Sequence, residues 1–378
     1  MGVYEDLGLH PVINAATTFT ALGGSLMPPE VIAAMNDAAG SFVEMNELHL
    51  AAGAKIARLT RNEAAYVTPG CAAALVLALL GLRTRGNPGR LRSFPGRDDA
   101  PYEVVMHAAH RIPYDATIAL AGVEIRQFGN IIQTFDWELD AAITDKTVAL
   151  LYVAGSHLPQ SALPLERVVE IAHARDVPVI VDAAAQLPPA ENFWRFTRDL
   201  GADLVTFSGG KALRGPQASG ILAGNAELVE FARQNGAPLQ RWGRALKVGK
   251  EEIAGLLAAV ERFVELDHDA QSAEWLGVVE RWGQELGGID GVRIAVDPLN
   301  EAGQPVPRLH VGIEDPAFAT AALEAIAAHN PRVAVLPHFS NGVPRGFWIG
   351  ADLLRPGEAE IVGSVVIHAL HEARKRAN

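Results

Sequence analysis

From Tyr102 to Phe207 the chain keeps one rhythm, in which short, continuously apolar runs alternate with segments of helical period. Glu103–Met106, Val123–Phe128, Thr147–Val153, Val177–Val181 and Leu204–Phe207 read as strands. Pro113–Ala121, Trp137–Ile143 and Pro164–Arg175 read as the helices between them, the last with Leu165, Val168, Val169 and Ala172 on one face. A strand with no polar alternation is buried on both sides, so the pattern calls for an α/β fold with a mostly parallel sheet covered on both faces. Ligands of such sheets bind at the carboxyl ends of the strands. The residues just past those ends therefore carry the chemistry: His107 and His110 after Met106, Ser156 and His157 after Val153, Asp182 after Val181, and Ser208 and Lys211 after Phe207.

On either side the pattern changes. The first forty residues begin irregularly, with a helix starting at Pro28-Pro29-Glu30 and a second over about Ser41–Thr60 that carries Phe42, Met45 and Leu48 at helical spacing. Lys247–His268 reads as one long helix joining two domains. Beyond it, strands over Val292–Val296, Arg308–Ile313, Val333–Leu336 and Phe347–Ile349 and helices over Ala317–Ala328 and Glu358–Ala373 do not alternate strictly, which favours a small α+β domain. Asn341-Gly342 is a hairpin signal. The expected division is an N-terminal arm and helix over 1–45, a large α/β domain over 46–246, and a linking helix with a small domain over 247–378.

Composition narrows the partners. A net charge of −12 over 378 residues argues against a nucleic-acid surface, which shows as a basic excess. The one cysteine, Cys71, excludes an intrachain disulfide and fits a reducing compartment. No basic segment followed by an apolar run opens the chain, and no run reaches the roughly 18 apolar residues of a membrane span. The expectation is a soluble cytoplasmic protein without membrane contact. The arginines at 83, 85, 90, 92 and 97, set among Gly and Pro, read as solvated surface, with a phosphate-bearing substrate or a subunit contact as alternatives.

The most informative strand end is Phe207-Ser208-Gly209-Gly210-Lys211, continuing to Gly215-Pro216-Gln217. Paired glycines beside a lone lysine mark backbone that comes close to something bulky. A lysine desolvated there loses its preference for the charged form, and its amine becomes a nucleophile or base. The chemistry that most needs such an amine is a Schiff base with a carbonyl cofactor, above all pyridoxal phosphate (PLP). A phosphate-binding P-loop fails at both ends, since Lys211 is followed by Ala212 and position 205 is Val. Asp182 closes an apolar strand, where a carboxylate is costly without a partner; a protonated pyridine nitrogen would be one, and a helix cap is the plainer alternative. Thr68-Pro69-Gly70-Cys71 precedes an apolar helix, with Thr68 placed as N-cap and Pro69 at the first helical position. Its free N–H groups could hold a phosphate. A zinc site on His107, His110 and His157 is a rival, but no cysteine or H-E-x-x-H pattern supports it.

With these residues assembled, the chain resembles the fold-type I PLP enzymes, and within them the group that includes bacterial selenocysteine synthase and D-glucosaminate-6-phosphate ammonia-lyase. The likeness is sharpest at Val12-Ile13-Asn14-Ala15, at Val179-Ile180-Val181-Asp182-Ala183-Ala184-Ala185-Gln186, and at Phe207-Ser208-Gly209-Gly210-Lys211 through Gln217. It implies Lys211 as the Schiff-base lysine, Asp182 as the pyridinium partner, and Ser208 with Gly70, Cys71 and Ala72 around the cofactor phosphate. It implies His110, with His107 as fallback, stacked on the pyridine ring, and Gln186 and Gln217 near the cofactor, Gln217 serving a neighbouring subunit. Arg355, Asn14 and His157 would meet the substrate, Arg355 as a carboxylate clamp. The implied protein is a homodimer or higher homo-oligomer that acts on a small-molecule amine. Selenocysteine synthase carries an N-terminal domain for charged tRNA; here the catalytic pattern begins within about a dozen residues and the chain is acidic, which turns the reading from tRNA to a small molecule. The activity implied is a lyase that takes the Cα proton of an amino acid or amino-sugar acid and eliminates at Cβ. Racemase, epimerase, aldolase or selenium/sulfur transferase chemistry is the alternative, and an inactive PLP-fold binding protein a further one.

Overall fold

The computed structural model describes residues 2–92, 102–155 and 161–377. Its contacts divide the chain into two units, Ser25–Leu266 and the pair of segments Met1–Gly24 and Asp267–Asn378. In chain order the strands are β1 (Val12–Asn14), β2 (Ala64–Thr68), β3 (Tyr102–His107), β4 (Val123–Phe128), β5 (Thr147–Val153), β6 (Val179–Asp182) and β7 (Leu204–Ser208). They continue with β8 (Gly220–Gly224), β9 (Val292–Asp297), β10 (Arg308–Ile313), β11 (Arg332–Ala334), β12 (Leu336–Ser340) and β13 (Val343–Gly350).

The larger unit is built on a seven-stranded sheet of order β2-β8-β7-β6-β5-β3-β4. Every neighbouring pair from β7 to β4 is parallel, while β8 runs antiparallel to both β2 and β7. Alternate residues of each strand enter opposite cores. Val104, Met106, Leu151, Ile180 and Leu204 pack with the Cys71–Thr84 and Ala226–Asn235 helices. Val105, Leu150, Val179, Val181, Val205 and Phe207 pack with the Met45–Leu59, Leu165–His173 and Lys250–Glu265 helices. Because both faces of the central strands β5, β6 and β7 are buried, these carry no polar alternation, whereas the edge strand β4 exposes Glu124, Arg126 and Gln127.

In the other unit β12-β13-β10-β9 form an antiparallel sheet, and β1 lies parallel to β11. One face of the sheet, with Leu309, Val311, Ile313, Phe347 and Ile349, joins a core with the Pro316–Ala328 and Glu358–Ala377 helices. The β12–β13 turn is Asn341-Gly342, with φ of 51° and 77°, as the hairpin signal predicts.

Several boundaries differ from the sequence reading. The helix expected over Lys247–His268 is present but shorter, Lys250–Glu265 ending at extended Leu266, and a further helix, His268–Leu286, starts under an Asp267 cap that accepts the Ala270 N–H at 2.9 Å. The second early helix begins at Met45, capped by Glu44, which leaves Phe42 outside it and fully exposed. Pro113–Ala121 winds as a 3-10 helix. Val333–Leu336 divides between β11 and β12, which belong to different sheets. The sequence reading divided the chain at 45/46 and 246/247; the contact units meet at 24/25 and 266/267, with the Pro29–Ala39 helix packed on Lys250–Glu265.

Candidate active site

Asp182 ends β6 in register with Thr206 of β7. Both fall on the sheet face that carries Ile180 and Leu204, the face covered by the Cys71–Thr84 helix. Asp182 is 8% exposed, and its Oδ1 accepts the Ala184 N–H at 3.1 Å. Among the described residues no other group hydrogen-bonds to this carboxylate. Burial pushes its pKa up, against the pull of the Ala184 N–H and of the Lys211 charge. A buried carboxylate so weakly paired lacks a cation. Beside it Thr206 is fully buried. The Cys71 thiol lies against Thr206; burial and the Asp182 charge push its pKa up to about 12, with Thr206 and Lys211 opposing. That thiol is protonated at neutral pH and is no nucleophile.

Lys211 is half-buried in the turn that follows β7. A Cβ on Gly209 would meet Ser219 Oγ at 2.0 Å, and one on Gly210 would meet Gln217 Cα at 2.8 Å. The returning segment 216–219 thus passes directly over the glycine pair, which explains why no side chain is tolerated there. The turn closes through Gly215 N–H to the Gly209 carbonyl (2.8 Å) and Arg214 N–H to the Lys211 carbonyl (2.9 Å).

The phosphate-side cap is corrected by two positions, from Thr68 to Gly70. Gly70, with φ of 100°, is the N-cap of the Cys71–Thr84 helix, while Thr68 closes β2 and donates its hydroxyl to the Gly70 carbonyl at 3.0 Å. The positive φ turns strand into helix, and glycine takes it without strain. Gly220 of β8 lies so close that its Cβ would be 2.9 Å from Gly70 Cα, and Gly220 is in register with Ser208. The helix start and Ser208 are thereby brought together. The helix is buried from Ala73 to Thr84, but Cys71 is only half-buried and Ala72 is exposed. No side chain caps its first N–H groups. An open helix start is an anion site in waiting, provided something anionic has reason to be there.

The other sequence candidates are placed as follows. His110 is 2% exposed, with its Nδ1 facing the Val153 N–H at 3.4 Å and its ring edge-on to Tyr152 at 4.6 Å. His107 caps the Ala109 N–H through Nδ1 (2.9 Å) and meets Thr134 Oγ1 through Nε2 (2.5 Å). Gln186 is buried, its carbonyl accepting from Asn192 at 2.6 Å; Gln217 is exposed above Gly210. In the other unit Asn14 closes its own turn, donating to the Thr17 carbonyl and accepting from Ala16 N–H, both at 3.0 Å. Arg355 is engaged by Glu358, at 2.8 Å through Nε, at the start of the C-terminal helix. Arg83 is buried, donating to the Ala121 carbonyl at 2.6 Å. Ser156, His157 and Arg97 lie outside the described residues. Two residues escaped the sequence reading: Thr206, whose signal was a polar residue inside an apolar strand, and Ser25, whose backbone N–H and hydroxyl both reach the Gly210 carbonyl.

A carboxylate wanting a cation, a lysine whose charge reaches it, and an uncapped helix start wanting an anion call for one ligand with a protonated ring, an aldehyde and a phosphate. PLP carries all three groups, and the residues present fit it. Sheet and site together define a fold-type I PLP-dependent enzyme. The sequence profile of SelA, L-seryl-tRNA selenium transferase, matches residues 12–287, and the chain belongs to that family. It is 33% identical over 316 residues to a D-glucosaminate-6-phosphate ammonia lyase of Salmonella typhimurium, covering 82% of each chain. It is 34% identical over 323 residues to a 5'-C-glycyluridine monooxygenase-decarboxylase of a Streptomyces species, covering 84% of this chain and 78% of the other. An L-seryl-tRNA(Sec) selenium transferase of Desulfovibrio desulfuricans is 29% identical over 290 residues, of which the match spans 57%. Among solved structures, that of a D-glucosaminate-6-phosphate ammonia-lyase superposes with a TM-score of 0.83 over 99% of both chains at 28% identity. A Sphingomonas wittichii serine palmitoyltransferase shares the fold, with a TM-score of 0.61 at 14% identity. Among the described residues no helix is long and apolar enough to cross a membrane.

Proposed function

We propose that the chain is a PLP-dependent lyase that releases ammonia from a 2-amino acid bearing a hydroxyl on the next carbon, with amino-sugar acids as the substrate class. The observation that carries this reading is the placement of buried Asp182 at the end of β6 and of Lys211 in the glycine turn that follows the adjacent parallel strand β7. The 33% identity and the TM-score of 0.83 to ammonia-lyases support the reaction class. Bound PLP supplies an electron sink for a carbanion at the substrate Cα. The Lys211 amine takes the Cα proton and returns protons to the reacting carbons. Asp182 would be the residue that pairs with the cofactor's ring nitrogen and favours its protonated form. Ser208 and the N–H groups of Cys71 and Ala72 hold the phosphate. The balance is that the β-hydroxyl departs as water and water re-enters when the released unsaturated amine hydrolyses. The net products are a 2-keto-3-deoxy acid and ammonia.

The partner this reading implies is a second copy of the chain, and the full exposure of Phe42 supports it. A reducing compartment fits the free Cys71.

The test is product analysis with 2-amino-2-deoxy sugar acids and their phosphates. Keto acid and ammonia in equal amounts, without oxygen uptake, are expected. An inverted stereocentre with no ammonia would contradict the reading. Oxygen uptake with loss of carbon dioxide would replace it with the chemistry named for the Streptomyces relative.

A further inference from the structure

The carbonyl that precedes Lys211 is held in an unusual way. Gly210 O accepts two hydrogen bonds from one residue, the backbone N–H and the hydroxyl of Ser25, each at 3.0 Å. Its neighbours are satisfied within the turn, Gly209 O by Gly215 N–H at 2.8 Å and Lys211 O by Arg214 N–H at 2.9 Å. Ser25 comes from 185 residues away in the chain. It follows Gly23 and Gly24, whose φ values of 85° and 75° turn the chain, and it is the first residue of the larger unit.

The physics of the glycine pair makes this contact consequential. Gly209 and Gly210 cannot carry side chains, because Ser219 and Gln217 occupy that space. Their torsions are then the loosest of the turn, and they stand directly before the residue whose amine must be aimed. The plane of the Gly210–Lys211 peptide sets the position of the lysine nitrogen and the direction of its Cα–Cβ bond. One hydrogen bond to that carbonyl leaves the plane free to swing about the bond axis. Two donors from a single residue remove the swing.

We propose that Ser25 is a positioning residue for Lys211, fixing the peptide before the lysine so that its side chain is directed at the reacting carbon. This rests on Lys211 being the reactive amine. The hydroxyl works through the backbone of Gly210.

The decisive measurement is hydrogen–deuterium exchange of the 209–215 segment in the cofactor-free protein, comparing the parent with Ser25→Ala and Ser25→Thr. Ser25→Ala speeds exchange there by about fivefold, the weight of one net hydrogen bond, and leaves the Cys71–Thr84 helix unchanged. Ser25→Thr keeps the hydroxyl and restores the parent rate. In the PLP-loaded enzyme Ser25→Ala lowers kcat by about tenfold with KM within about twofold, as misaiming rather than lost binding requires. Unchanged exchange in Ser25→Ala, acceleration spread across the whole larger unit, or a Ser25→Thr protein that behaves like Ser25→Ala would each overturn the proposal. The exchange measurement uses no substrate, so an error in the ammonia-lyase reading alone leaves its outcome untouched.

Discussion

Asp182 shows how a single side chain can be costly to the fold and useful to the site. Its carboxyl pKa is raised above the ordinary 3.8 by burial, so the folded chain holds the proton more tightly than the unfolded one does. For a group with a raised folded pKa, the contribution to stability is present at acid pH and is lost as pH rises through the folded value. As pH rises from the ordinary 3.8 toward the folded value, the cofactor-free protein therefore loses stability at this carboxyl, a loss that a ring cation would offset. Asp182→Asn removes the charge and keeps the shape. At neutral pH it raises the Tm of the cofactor-free protein by roughly 2–4 °C, the shift of about 1 kcal/mol in a domain of a couple of hundred residues. The gain shrinks toward acid pH. Turnover falls by about 100-fold or more, since the ring nitrogen loses its anionic partner. Thermal scans of both proteins across pH check this, and a neutral-pH Tm below that of the parent would contradict it. Thr206 on the same sheet face, and Cys71 at the start of the helix that covers it, flank the carboxylate without supplying a charge.

At the scale of elements, legibility in the sequence followed burial. The central strands β5, β6 and β7 stand out because their runs are largely apolar, and that in turn located Asp182 and Ser208 at strand ends and Lys211 in the turn just beyond. The strand β8 did not stand out, since Gly220-Ile221-Leu222-Ala223-Gly224 offers only three side chains. Its glycines are there for the reason that hides it: a Cβ on Gly220 would meet Gly70, and one on Gly224 would meet Asp203 O at 2.1 Å. The His268–Leu286 helix did not stand out because its first two turns are almost wholly polar or small, and the Asp267 cap was the signal to read. A strand end gives position but not orientation. His107 sits where it was expected, yet its ring turns back to Ala109 and Thr134. The three-residue β1 pairs with β11 from the far end of the chain, and Ser25 reaches Gly210 across a comparable gap. No local pattern announces contacts of that separation.

At the scale of the whole molecule the account makes two commitments. The first is assembly. Phe42 is fully exposed and Val43 nearly half so, while Val3, Tyr4 and Leu7 in the other unit are also open to solvent. The protein should therefore run in solution at no less than twice its chain mass of 40.2 kDa, and Phe42→Ser should shift it toward the single chain. Light scattering behind size exclusion measures this, and a fully active single chain would contradict it. The second commitment is chemical, and everything said of function hangs on it: the amine at 211 is the one that holds the PLP aldehyde. Borohydride reduction of the PLP-loaded protein, followed by peptide mapping, tests it directly. The account predicts the reduced adduct on the peptide containing Lys211 and no adduct in Lys211→Ala. An adduct on a different lysine, or one undiminished in Lys211→Ala, would contradict it.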